Sequence, residues 1–216
     1  MSEGPRLSRR GWLALLGLLP VAAAALPVIE SLERRRRPGT QRPVHGFHGD
    51  YFPDLVLRTQ DDERVRLYTD LLKGKTVLVH FFNGDGRDRL YPAVIGNLLQ
   101  LQRLLGERCG RDVFMYSFAL ASPAGIPTPA RLRAYRASLP ITAGWTFLTG
   151  SAPDLALCRA RFGVADPDPA LDREPAEHVN VVLLGNEPHE RWLGLPALSG
   201  PAVLLEQLDR VAGVKT

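Results

Sequence analysis

The chain has 216 residues, 45% hydrophobic and 23% charged, which is apolar material for one globular domain with a tail and too little length for two ordinary domains. Its formal charge of +4 points to an acidic partner only until the charges are located: residues 1–43 hold 8 of the 27 Lys and Arg and 3 of the 23 Asp and Glu, leaving 19 against 20 beyond them. The body is therefore close to neutral, and nucleic-acid binding loses its electrostatic footprint.

At the N-terminus, Arg9 and Arg10 precede 19 uncharged residues, Gly11 to Ile29, in the order of a charged region and an apolar export segment. Ser8-Arg9-Arg10-x-Trp12-Leu13 resembles the twin-arginine motif, with Trp in place of an aromatic Phe. Residues 1–29 are accordingly expected to be a twin-arginine-type signal or a membrane anchor, which makes the protein periplasmic. Ala23 and Ala25 permit cleavage, but the apolar run is also long enough to hold the chain in the inner membrane. Residues 30–49 read as a disordered basic linker, rich in Arg, Pro and Gly, in which His45 and His48, three apart, offer a weak metal pair but are better read as solvated.

The ordered domain is expected over residues 50–213. "DLVLRTQDDERVRLY" alternates apolar and polar residues on both sides of a polar turn at Gln60 to Glu63, as a hairpin does. "KTVLVHFF" is a continuous apolar strand, and "PAVIGNLLQLQRLLG" a helix opened by Pro92 with Val94, Leu98, Leu101 and Leu105 on one face. A strand "DVFMYSFAL" follows, then a helix capped by Thr128 with Pro129 at its first position. After the short strand "GWTFLTG", Ser151 and Asp154 stand in capping-box spacing before a helix that ends at Gly163. "HVNVVLLGNEPHERWLGL" reads as a hairpin turning at Gly185-Asn186, and "PAVLLEQLDRVA" as the last helix. This order predicts an α/β fold with a thioredoxin-like mixed sheet flanked by helices and preceded by an N-terminal β-hairpin. Val77–Phe82, Val113–Leu120 and Val181–Leu184 should form its core under Leu98, Leu101, Leu204 and Leu208, with Trp145 and Trp192 in or near that core.

The loop between the first long strand and its helix, "NGDGRDRLY", lies where many α/β proteins place their chemistry, yet it holds no Cys, His, Ser or Lys. Asn83, Asp85 and Asp88 offer oxygens to calcium, but Arg87 stands among them and no Glu closes the set. Arg87 and Arg89 near a helix start would suit an anion, though the Lys-Ser/Thr ending of a phosphate loop is missing. Cys109 and Cys158 lie 49 residues apart with no CxxC. An exported setting permits a disulfide between them, whereas their flanks, a helix end and a helix interior, favour two separate buried thiols.

Five blocks in order carry a resemblance to the SCO/SenC family of thioredoxin-fold copper chaperones of cytochrome oxidase assembly. They are "YFPDLVLRTQDDERVRLYTDLLKGKTVLVHFF", "NLLQLQRLLGERCGRDVFMYS", "GWTFLTG", "FGVADPDPALD" and "HVNVVLLGNEPHERW". The resemblance implies a copper or redox site made of a C-x-x-x-C-P motif in the questioned loop and a His from the later hairpin. His178 matches that His. The two cysteine positions fall on Arg87 and Tyr91 when counted back from the helix, or on Gly86 and Leu90 when counted forward from the strand, so neither count recovers a thiol. The acidic residue the family often carries in its next loop is also missing from "ALASPAGIPTP".

Thiolates select Cu(I) by softness, whereas a guanidinium repels a cation and does not deprotonate. The resemblance therefore implies a degenerate, non-catalytic member. It would be an exported accessory or binding protein in respiratory or copper-enzyme assembly, not an enzyme and without a cofactor of its own. Its partner would be a protein of that assembly, such as an intact SCO-like protein, with membrane association through the N-terminal segment. The alternative is a copper-binding or thiol-redox chaperone using unconventional groups: His178 with His80, or the pair Cys109 and Cys158.

Overall fold

The computed structural model describes residues 51–83, 91–121, 125–165 and 180–214. The expected signal (1–29) and linker (30–49) lie outside the described residues. Among the described residues, seven strands form one mixed sheet in the order β2-β1-β5-β4-β3-β6-β7. The strands are β1 (Val56–Thr59), β2 (Arg64–Arg66), β3 (Thr76–Asn83), β4 (Val113–Leu120), β5 (Trp145–Thr149), β6 (Val181–Asn186) and β7 (Arg191–Pro196). The helices are α1 (Tyr91–Leu105), α2 (Pro129–Ala137), α3 (Ala152–Arg161) and α4 (Pro201–Ala212).

The central strands β3 and β4 pair in parallel from Thr76↔Val113 to Asn83↔Leu120, and β4 continues in parallel to β5. β6 returns antiparallel to β3, and the N-terminal hairpin joins the sheet by antiparallel pairing of β1 with β5. Being covered on both faces, β3 and β4 read as near-continuous apolar runs, interrupted inside by His80 and Ser117. Leu78, Phe82, Met115, Ala119 and Leu184 pack with Val94, Leu98, Leu101, Leu204 and Leu208 on one face. Val77, Val79, Phe81, Phe118 and Leu183 pack with Phe52, Leu67, Leu155 and Phe162 on the other.

The helix signals in the sequence have their expected partners. Thr128 Oγ1 accepts the N–H of Arg131 at 3.3 Å, Ser151 Oγ accepts that of Asp154 at 3.3 Å, and α3 closes on Gly163 at φ +69°.

Two boundaries differ from expectation. The second hairpin strand stops at Arg66, and Leu67 and Tyr68, expected to be extended, begin a π-helical turn over Leu67–Leu72. The turn wins because it buries Leu67, Leu71 and Leu72 together, while Asp54 accepts the N–H groups of Tyr68 at 3.2 Å and Thr69 at 3.0 Å. The late hairpin does not turn at Gly185-Asn186. Both residues lie inside β6, and the chain reverses through Glu187–His189 with Glu190 at φ +52°. Asn186 fixes that turn by accepting the His189 N–H at 3.3 Å and donating to the Val211 carbonyl at 3.2 Å. Glu187 ties it to the π-helical turn through the Tyr68 hydroxyl at 2.9 Å and the Gly74 N–H at 2.7 Å.

Candidate functional site

The candidate site lies at the C-terminal end of β3, where open α/β sheets place ligands. Asn83 closes the strand and Tyr91 opens α1. Arg87, with Gly86, Leu90, Asp85, Asp88 and Arg89, lies outside the described residues, as do His178, His45 and His48. Of the four candidate cysteine positions only Tyr91 is described, and it is 6% exposed.

Tyr91 sits in an aromatic layer beneath the site. Its ring centroid is 5.6 Å from that of Phe82, 6.0 Å from Tyr135 and 6.4 Å from His80. Phe147 extends the layer at 5.7 Å from both Phe82 and Tyr135, and Trp145 stacks on Phe147 at 5.6 Å. The Tyr91 hydroxyl is buried beside that of Tyr135, toward which it is a weak hydrogen-bond donor. Burial, reinforced by neighbouring Tyr135, pushes its ionisation far above the ordinary phenol range. Held as a neutral phenol, it supplies neither the charge nor the softness of a thiolate.

His80 and Ser117 are aligned across β3 and β4. His80 is fully buried, with Nδ1 3.5 Å from Ser117 Oγ, and that hydroxyl accepts the Trp145 indole N–H at 2.9 Å. Its histidine was legible as the one polar residue in "VLVHFF"; that it joins Trp145 through Ser117 was not, because the link depends on strand register.

The cysteines are not brought together. Cys109 follows α1 in the cluster on one face of the sheet, whereas Cys158 lies within α3 in the cluster on the other, and both are free buried thiols. Burial raises the Cys109 pKa, only partly offset by the Gln102 side-chain amide, whose Nε2 lies 3.7 Å from the sulfur. Burial, with Asp154 nearby, pushes Cys158 up to about 12. Neither is a thiolate at neutral pH. Among the described residues no three of His, Cys, Asp and Glu converge as a metal-binding group.

No protein-family model matches the chain, and no curated protein matches it. Solved structures do. The chain superposes on BsSco, a member of the Sco family of cytochrome c oxidase assembly proteins, with a TM-score of 0.56 at 20% identity, covering 74% of this chain and 92% of that one. A SCO1/SenC family lipoprotein from Bacillus anthracis gives 0.55 at 20% identity over 73% and 92%. Yeast Sco1 with copper bound gives 0.55 at 15% identity over 76% and 96%. The fold is that of the Sco proteins, a thioredoxin-like mixed sheet with flanking helices.

Proposed function

We propose that this chain is an exported Sco-like accessory protein that works by binding another protein during assembly of a respiratory or copper enzyme, without copper or thiol-redox chemistry of its own. The observation that carries this reading is Tyr91. At the head of α1, where the sequence resemblance places the second cysteine by the ungapped count, stands a phenol packed against Phe82 and Tyr135. The remaining thiols support the same reading, since a redox role needs an exchangeable pair and Cys109 and Cys158 lie on opposite faces of the sheet. Retention of the whole Sco scaffold around a site without thiols favours a role carried by surface rather than by chemistry.

Titration of the full chain with Cu(I) against a competing chelator tests the reading. Weak, non-stoichiometric uptake is expected, because one imidazole without thiolates gives neither softness nor chelation. Tight stoichiometric binding that disappears in His178→Ala would overturn the proposal in favour of a copper chaperone with unconventional ligands.

A further inference from the structure

The two edges of the sheet are built differently. β2 is three residues long and carries Arg64 and Arg66, and the Arg66 N–H is already taken by the Asp70 carboxylate at 2.7 Å. A short, charged, partly blocked edge resists pairing with another strand. β7 has none of these protections along Trp192-Leu193-Gly194-Leu195, and Pro196 stands only at its end. Leu198 and Val203, among the more exposed apolar side chains, follow directly in the next turn and the start of α4.

Register decides which main-chain groups face outward. The Ala197 N–H donates to the Asn180 carbonyl at 2.6 Å, and Leu195 is aligned with Val182 and Leu193 with Leu184. In an antiparallel ladder the residues between these pairs point their N–H and C=O groups away from the partner strand. Trp192 and Gly194 therefore present two donors and two acceptors along the open edge, and among the described residues nothing bonds to them.

We propose that this edge pairs with β7 of a second copy of the chain, antiparallel about a two-fold axis at Leu193. In that register Trp192 exchanges both main-chain bonds with Gly194 of the second copy, and Gly194 with Trp192 of the second copy, so all four outward groups are satisfied. Pro196, which lacks an N–H, falls outside the paired stretch. The same patch serves on both subunits, and the blunted β2 edge stops growth, giving a closed dimer rather than a filament. This inference is independent of the copper question.

The test combines sedimentation of the full chain over a range of concentrations with residue-resolved amide exchange. A monomer–dimer equilibrium is expected, with the Trp192 and Gly194 amides slowed by about tenfold or more as the dimer fills. Leu193→Cys adds a covalent readout. Residues facing each other in a non-hydrogen-bonded antiparallel pair have Cα atoms about 4.5 Å apart, within the span of a disulfide, so mild oxidation should trap a cross-linked dimer. A monomer at every concentration, or a dimer in which these two amides still exchange as fast as in the monomer, overturns the proposal. The amide measurement uses the unmodified chain, so it decides the matter even if the variant fails to fold.

Discussion

The indole of Trp192 occupies the space a side chain on Gly185 would need: a Cβ built at Gly185 meets Trp192 Cζ3 at 2.3 Å. The two residues are cross-strand neighbours on β6 and β7, and the ring goes on to pack at 5.0 Å from Phe52 and 5.9 Å from Phe162. Gly185 is thus a strand residue that lets an aromatic lie flat on the sheet. Gly185→Ala should lower stability by about 1–3 kcal/mol through overpacking. Urea denaturation would show it as a lower midpoint at unchanged slope, and an unchanged midpoint would mean that the ring moves aside freely.

Asp54 holds the π-helical turn from outside it. Its carboxylate accepts the Thr69 N–H at 3.0 Å, the Thr69 hydroxyl at 2.8 Å and the Tyr68 N–H at 3.2 Å. The Thr69 N–H is the main cause of its lowered pKa, with Arg66 a smaller one. A depressed carboxylate stabilises the fold above its ordinary pKa and loses that contribution as pH falls through the folded value. Asp54→Ala should cost about 1 kcal/mol at neutral pH, as lost helix caps do. The gap between wild type and variant should close in acid; a gap independent of pH would assign the effect to packing.

These first two predictions also mark where the sequence was legible. Alternation and continuous apolar runs identified the hairpin, β3, β4 and the buried face of α1, because side-chain period and burial are local properties of the chain. The caps at Thr128 and Ser151 were legible for the same reason. The turn at Glu187 was not. Gly-Asn is a strong local turn signal, but Gly185 is required by Trp192 across the ladder and Asn186 by the end of α4, and neither demand is visible locally. The π-helical turn was hidden likewise, since Asp54 supports it from twelve or more positions upstream. At the site, the family resemblance implied that two thiols are replaced; the sequence did not show that Tyr91 is packed into an aromatic layer with Tyr135.

Cys109 and Cys158 should be chemically silent in the folded protein. With Cys158 pushed up to about 12 and Cys109 also raised, native thiols should react with a disulfide reagent at pH 8 more than roughly a hundredfold slower than the same thiols in denaturant. Both of the chain's two cysteines should then titrate on unfolding, with or without prior reduction. Because burial favours the neutral thiol, this contribution to stability is complete below the unfolded pKa of about 8.5 and is lost as pH rises toward the folded value. Fast native labelling of an equivalent per chain would revive a redox role.

Tyr91 offers the sharpest separation between scaffold and chemistry. Its buried hydroxyl donates weakly to that of Tyr135, so Tyr91→Phe, which removes only that contact, should cost no more than about 1 kcal/mol. Tyr91→Cys empties part of the aromatic layer and should cost about 2–4 kcal/mol, which thermal unfolding of each variant would measure before any metal is added. Arg87→Cys with Tyr91→Cys is then expected to create Cu(I) affinity, provided His178 faces the loop as in the family resemblance. Gly86→Cys with Leu90→Cys is the matching pair for the other alignment. Tight competitive binding by one pair and not the other would fix the register of the loop. Failure of both folded pairs, with the unmodified chain also weak, would mean that His178 does not converge on the loop. The protein would then share the Sco fold without the geometry of a Sco copper site.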